Sequence, residues 1–144
     1  MKKYLACLIA FIILGILMYK QVNSATQANL VSRNISFAVY KSYSYKSNVY
    51  NNTSAQVQIV VKKINTKGQY MIVWEKNMDA KSLNKYPTPE NALTQNVTIN
   101  NVNRKKEYLL VDYTLTYKSK DAELKMHDAT IVKDNMTGKI SISI

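Results

Sequence analysis

The sequence predicts a mainly β fold: a small antiparallel β-sandwich or barrel-like domain of about seven strands, preceded by an N-terminal apolar helix. Apolar and polar residues alternate over most of the chain after residue 33, as in strands with one buried face. Turn-forming residues separate these runs, at a spacing of roughly 8 to 12 residues. One mid-chain stretch breaks the alternation, so one or two short helical turns are expected there, and an α+β antiparallel sheet is the alternative.

The first 24 residues predict a signal peptide or an N-terminal membrane anchor. Lys2 and Lys3 precede 15 uncharged residues, 5–19. That length suits a signal peptide, whereas a spanning helix needs about 20 apolar residues. Val22 and Ser24 fit the small-residue pattern of a cleavage site. If cleavage fails, residues 4–19 would anchor the chain, with Lys2 and Lys3 on the inner side.

Residues 25–144 are therefore expected to form a single β-rich domain outside the cytoplasm. Such a domain is secreted, periplasmic or on the cell surface, or it is held at the inner membrane by the N-terminal helix. The single cysteine, Cys7, lies in the leader. A cleaved chain would thus fold without disulfides, and its apolar core would supply the stability.

In the first half of the domain, a strand is expected within residues 35–45, followed by a hairpin. The apolar face of the first strand would carry Phe37, Val39, Tyr43 and Tyr45. The outgoing hairpin strand would bury Val57, Ile59 and Val61, and the returning strand would carry Tyr70, Ile72 and Trp74 on one face. Between them Gly68 suits the turn position that needs a positive φ.

Residues 77–93 are expected to be helical in part. Asp79 is placed to cap a short helix that runs to Tyr86 and stops at Pro87. Thr88 and Pro89 resemble a second cap with proline at the first helical position, which predicts one more helical turn.

Strands are expected to resume at Val97 and continue to the C-terminus. The longest alternating run has one apolar face, formed by Leu109, Val111, Tyr113, Leu115 and Tyr117. A further strand begins at Leu124 and Met126, and residues 129–132 follow it. A turn at residues 134–138 then leads into a last strand with Ile140, Ile142 and Ile144 inward.

Charge is distributed unevenly along the predicted domain. Residues 25–74 hold six basic and no acidic residues, and residues 75–144 hold eleven basic and nine acidic ones, which leaves a net charge of +8. Weak attraction to anionic headgroups or envelope polymers is physically expected. The plainer interpretation is that lysines keep a β-rich surface soluble and its edges unpaired. Nucleic acid is a poor candidate partner, because the basic residues are scattered and the leader directs the chain elsewhere.

No residue pattern predicts catalysis. The domain has one histidine, His127, and its neighbour Asp128 would project from the other face of a strand. A hydrolase built around His127 or Glu75 would need a cleft that desolvates a carboxylate. Asp121, Glu123 and His127 share a strand face, but about 20 Å separates the ends of that set at roughly 3.3 Å per residue. We therefore predict no enzyme, no metal and no cofactor.

Tyrosines are the most unusual feature of the composition. Tyr113 and Tyr117 fit the apolar face of a strand and are expected to be core residues. The segment 40–50 is different, because it mixes tyrosine with lysine and lacks neighbouring apolar residues. Tyrosine offers contact area and a hydrogen bond at small entropic cost, so this segment is the candidate binding surface. Its residues are Tyr40, Lys41, Tyr43, Tyr45, Lys46 and Tyr50.

The sequence thus predicts an exported, non-enzymatic binding domain that contacts a protein partner or an anionic envelope surface. One alternative is a membrane-anchored accessory subunit of an envelope or secretion complex, held by residues 4–19. A small secreted hydrolase is the weaker alternative. The partner, the ligand and the oligomeric state have no signature in the sequence.

Overall fold

The computed structural model describes residues 29–44, 52–132 and 138–144. Val31–Ile144 form one compact unit, and a second unit, Met1–Leu30, has only Asn29 and Leu30 among the described residues. The predicted leader therefore lies outside the described part of the chain. Within that part, no helix is both long enough and apolar enough to cross a membrane.

The described residues form eight strands and two 3-10 helices, so the predicted mainly β fold is confirmed. The strands are β1 (Leu30–Tyr40), β2 (Ser54–Asn65), β3 (Tyr70–Asn77), β4 (Lys81–Ser82), β5 (Leu93–Asn103), β6 (Glu107–Lys118), β7 (Glu123–Val132) and β8 (Gly138–Ser143). The 3-10 helices are Leu83–Lys85 and Pro89–Asn91.

The strands make two sheets. In the larger sheet the order is β3-β2-β6-β7, all antiparallel, and β4 pairs with β2 beyond the end of β3. In the smaller sheet β1 lies between β5 and β8. β1 and β8 run parallel, with Ile35 opposite Gly138. β1 and β5 run antiparallel, since the Ser32 side chain bonds Asn100 and the Thr98 side chain bonds Asn34.

The core lies between the facing sides of the two sheets. The larger sheet buries alternate residues of β2 and β6, as their apolar periodicity predicts: Val57, Ile59, Val61, Leu109, Val111 and Leu115. The smaller sheet contributes Ile35, Phe37, Val39 and Ile142. The ring of Phe37 on β1 stacks on Trp74 of β3, with centroids 5.4 Å apart and planes inclined by 7°. This contact joins the sheets directly, and the fold is a β-sandwich.

The hairpin turn follows the prediction, but the returning strand does not. Gly68 has a φ of 77°, a region that glycine occupies without steric cost. A register shift between Val61 and Lys62 sets Trp74 opposite Val61 and Ile72 opposite Lys62. Because opposed residues share a face, Trp74 points into the core, whereas Ile72 lies on the outer face. The predicted single face for Tyr70, Ile72 and Trp74 is therefore wrong.

Two further predictions, about where the first strand ends and where a helix forms, are wrong. The first strand runs from Leu30 to Tyr40, so Tyr43 lies beyond it. The helix expected from Asp79 to Tyr86 is absent, because the segment instead pairs with β2 through β4 and forms only the 3-10 helix Leu83–Lys85. Tyr86 is buried there, and its hydroxyl donates to the carbonyl of Ala55 at 3.0 Å. The turn predicted at Pro89 is confirmed.

The stack of Phe37 on Trp74 generates a stability prediction. The variant Phe37→Ala should lower the free energy of unfolding by about 3–5 kcal/mol, since a fully buried aromatic ring is lost and a cavity remains. Phe37→Leu retains most of the volume and should cost less. Urea unfolding measures both. A loss below about 1 kcal/mol for Phe37→Ala would contradict the described packing.

Candidate binding site

The larger sheet ends in a strand that has no second neighbour among the described residues. β7 pairs with β6, and nine of its ten residues are exposed, Val132 being the buried one. Leu124 and Met126 lie opposite Tyr117 and Leu115 and so share the inward face. They are nevertheless 58% and 53% exposed. The smaller sheet therefore leaves this part of the inner face uncovered.

Two recesses lie along the side of the sandwich where β7 and β8 approach each other. The first has a volume of about 380 Å³ and an apolar wall of Leu83, Tyr117, Leu124, Met126 and Ile144. Hydroxyl groups of Ser42, Ser44, Thr53 and Ser119 add polar positions. The second, about 240 Å³, lies between Asp128 and Thr130 of β7 and residues 138–141 of β8. Together they make an open side with apolar and hydrogen-bonding groups.

Charged residues lie along the exposed edge strand β7. Glu123 lies 3.0 Å from the ammonium of Lys118 and 3.2 Å from that of Lys125. These two partners lower the pKa of Glu123, so the carboxylate stays ionised at neutral pH. Charges on an edge strand oppose uncontrolled pairing with other chains. They do not remove the apolar surface of Leu124 and Met126.

Asp128 is engaged by a tyrosine rather than by its neighbour His127. The Tyr113 hydroxyl donates to Asp128 Oδ2 at 2.7 Å, and His127 Nδ1 lies 3.3 Å from Thr114 Oγ1 on the other face of the strand. Burial and the Asp128 carboxylate raise the pKa of Tyr113 to about 12. The bond from Tyr113 lowers the pKa of Asp128. The arrangement orients a carboxylate and holds it ionised, without placing it beside the imidazole.

Among the described residues no three His, Cys, Asp or Glu side chains group where one metal ion could bind. Asp121, Glu123 and His127, which were expected to share one face of a strand, do not form such a group either. Glu75, the other carboxylate considered for hydrolysis, lies on β3 and accepts a hydrogen bond from Gln58 Nε2 at 2.9 Å.

The predicted tyrosine and lysine segment is described only in part. Tyr40 is half-buried at the end of β1, and the Lys41 amide donates to the carbonyl of Pro87 at 2.9 Å. Tyr43 is 79% exposed, and its hydroxyl donates to Glu90 Oε1. This bond raises the pKa of Tyr43 and lowers that of Glu90. Tyr45, Lys46 and Tyr50 lie outside the described residues.

Of the described part of this segment, Ser42 and Ser44 reach the larger recess, whereas Tyr40, Lys41 and Tyr43 are not among its lining residues. Ser42 and Ser44, the chain neighbours of Tyr43, line that recess together with Leu124 and Met126. The sequence predicted a strand at Leu124 and Met126 but gave them no functional role. Alternation indicates which face a residue takes, yet it carries no information on whether another sheet covers that face.

No family model matches this chain, and neither does any curated protein or any solved structure. The geometry and chemistry of the described surface are therefore the basis for inferring function. That surface offers an open strand edge, an apolar recess and a rim of hydroxyl groups.

The bond between Tyr113 and Asp128 generates a pH prediction. The folded pKa of Tyr113, about 12, lies above the ordinary value of 10.0, so the unfolded chain loses this proton first. The interaction therefore stabilises the fold fully below pH 10, and its contribution is lost as the pH rises towards 12. In an ultraviolet absorbance titration, Tyr113→Phe should remove the tyrosine that ionises near pH 12.

The companion variant Asp128→Asn distinguishes the two causes that raise the pKa of Tyr113, which are burial and the Asp128 carboxylate. Because burial is the larger cause, Asp128→Asn should lower the pKa of Tyr113 only in part. If Tyr113, identified by the difference from Tyr113→Phe, ionises at the same pH in Asp128→Asn as in the unmodified protein, the described bond is contradicted.

Proposed function

We propose that this chain is an exported, non-enzymatic binding domain that holds an extended segment of a protein partner along β7. One observation carries the proposal: Leu124 and Met126 face inward on an edge strand yet remain more than half exposed over a recess. An exposed strand edge accepts an added strand through main-chain hydrogen bonds. Pockets for alternate side chains of that added strand then give specificity.

The shape of the open side supports an extended ligand. Successive side chains on one face of a strand are about 7 Å apart, so a bound segment would direct every second side chain towards the inner face. The larger recess, about 380 Å³, falls within the size range of ligand pockets, roughly 300–1,000 Å³. An apolar side chain of the partner would contact Leu124, Met126 and Ile144 there.

Polar groups around the recess support a specific partner rather than general adhesion. Ser42, Ser44 and Ser119 can pair with main-chain groups at the end of a bound segment. Tyr43, between Ser42 and Ser44 in the chain, is 79% exposed and donates its hydroxyl to Glu90. We also retain the sequence-based proposal that Tyr40, Lys41, Tyr43, Tyr45, Lys46 and Tyr50 take part in partner binding.

Export is the second part of the proposal, and the leader supports it. A signal peptide of residues 1–24 would release the domain outside the cytoplasm. If the leader stays attached, the same binding domain becomes an anchored accessory subunit of an envelope or secretion complex. Hydrolysis is the weaker proposal, because His127 and Asp128 face opposite sides of β7 and each is bonded to a different residue.

A photo-crosslinking side chain at Met126 tests the partner proposal in the cell that makes the protein. We expect a covalent adduct with a protein partner, because Met126 would touch the bound segment. The same side chain at Lys85, exposed on a 3-10 helix, is the matched control and should give no such adduct. Adding Leu124→Asp should abolish the adduct, since a carboxylate in the recess opposes apolar burial.

A synthetic peptide of the crosslinked partner segment then tests strand addition. Its binding should slow amide hydrogen exchange along β7, because the added strand would protect amides of that edge. Binding without protection of β7, or equal adducts at Met126 and Lys85, would overturn the proposed mode of binding.

The intact mass of the exported protein tests the leader. We expect protein recovered outside the cytoplasm to lack residues 1–24. Retention of those residues in a membrane fraction would favour the accessory-subunit alternative. Soluble cytoplasmic protein that still begins at Met1 would overturn export altogether.

A further inference from the structure

The outer face of the larger sheet carries an exposed apolar patch that the proposed partner site does not use. Two rows of directly opposed residues cross the strands there. One row is Tyr70, Ile64 and Tyr108, and the next is Ile72, Lys62, Leu110 and Ile131. Because opposed residues share a face, both rows lie on the side away from the core.

Several large side chains in these rows are open to solvent. Tyr70 is 64% exposed, Ile72 51%, Tyr108 42% and Ile131 51%. Ile64, between the two tyrosines, is buried although it faces outward. Neighbouring strands lie about 4.8 Å apart, so Tyr70 and Ile72 share one face with Tyr108 and Ile131, and Ile64, Lys62 and Leu110 lie between them. Exposed apolar side chains grouped on one face are a feature of interaction sites.

Basic residues border the patch at one end. The β2–β3 turn carries Lys67, and the β5–β6 turn carries Arg104, Lys105 and Lys106, all exposed. The two turns are held together, since the amide of Thr66 donates to the carbonyl of Lys106 at 3.0 Å. None of the four side chains makes an ion pair within the described residues.

The acidic residues nearest these turns are already paired with other lysines. Glu107 lies 3.7 Å from the ammonium of Lys63, and its Oε2 accepts the amide of Asn103 at 2.8 Å. Asp112 is 8% exposed and forms an ion pair with Lys62. The Lys62 ammonium also lies 5.1 Å from the centre of the Tyr70 ring. The four turn cations therefore present a local positive charge that nearby acids do not neutralise.

We propose that this surface, the tip patch, docks on an anionic lipid bilayer. The tip patch is the part of this face next to the two turns, without Ile131, and it comprises Lys67, Tyr70, Ile72, Arg104, Lys105, Lys106 and Tyr108. Basic side chains near an anionic bilayer are attracted by its negative surface potential. Tyrosine favours the headgroup level, and aliphatic side chains gain by reaching the acyl boundary.

Charge complementarity favours a bilayer over an acidic protein as the occupant. The cations at the turns would meet the phosphate groups of the lipids, and the apolar side chains on the adjoining face would reach the acyl chains beneath them. Leu124 and Met126 are on the inner face of the same sheet, so docking would leave the proposed partner site open. Docking of the tip patch does not require a partner at β7.

Sedimentation with lipid vesicles tests the tip patch, with the protein in the form recovered after export. The probes are vesicles of equal parts phosphatidylglycerol and phosphatidylcholine, and vesicles of phosphatidylcholine alone. We expect binding to the anionic vesicles and little to the neutral ones. Arg104→Glu, Lys105→Glu and Lys106→Glu together should weaken anionic binding by at least about tenfold, because attraction becomes repulsion.

A second triple variant controls for total charge. Lys81→Glu, Lys85→Glu and Lys120→Glu make the same change of charge at exposed positions outside the two turns. This control should weaken vesicle binding much less than the tip variant does. Equal losses in both variants would overturn a localised docking surface, and so would an absence of binding to anionic vesicles.

The variant Ile72→Ser distinguishes docking on a bilayer from binding to a soluble anionic polymer. The variant removes an aliphatic side chain without changing charge, so binding to anionic vesicles should fall several-fold, because less apolar surface reaches the acyl boundary. Binding to soluble polyphosphate should not change. Leu124→Ser, at an equally exposed apolar residue of the other site, should leave vesicle binding unchanged.

The outcomes of the Ile72→Ser experiment are distinct from those for partner binding. Vesicle binding insensitive to Ile72→Ser but competed by polyphosphate would replace the bilayer with an anionic polymer and overturn the proposal. Unchanged melting temperatures are expected throughout, since every substituted residue is exposed. Whether or not the protein binds vesicles, the crosslinking result at Met126 still decides the partner proposal.

Discussion

The fold depends on burying the inward faces of two sheets against each other. β2 is central to this arrangement, because β6 pairs along its whole length on one side and β3 and β4 divide the other side. Phe37 and Trp74 then bring the smaller sheet into direct contact with the larger. Apolar surface removed from water is the dominant stabilising contribution in such a domain. No disulfide assists it among the described residues, which contain no cysteine.

The same constraint explains why the proposed functional surfaces lie where they do. The smaller sheet has three strands and the larger has five, so the smaller sheet cannot cover the whole inner face of its partner. Leu124 and Met126 therefore stay exposed, and they line a recess at one edge of the larger sheet. On the outer face, the extra residue Val73 in β3, opposite the step from Val61 to Lys62, directs Ile72 away from the core. Each proposed site therefore uses apolar side chains that the packing of the sandwich leaves in contact with water.

Much of the fold was predictable, because strand alternation is a local property. Val57, Ile59 and Val61 are buried as their spacing predicts, and Gly68 takes the positive φ that its turn requires. The failures have tertiary causes. The segment after Asp79 pairs with β2 instead of forming a helix, and Tyr86 is buried against Ala55. Of the predicted binding residues, Tyr43 is exposed and bonded to Glu90 rather than lining the larger recess. Leu124 and Met126 had no recognised functional signal, and the excess of positive charge indicated an anionic surface without locating the tip patch.

The sequence alone determined the class of fold, the hairpin at Gly68 and the faces of β2 and β6. Each follows from side chains at fixed spacing along one strand or turn, which neighbouring residues largely decide. Only the tertiary structure decided that β1 and β8 run parallel, that Ile72 faces outward and that Met126 stays uncovered. These features depend on which strands become neighbours and how far one sheet extends over the other, and residues distant in the chain set both.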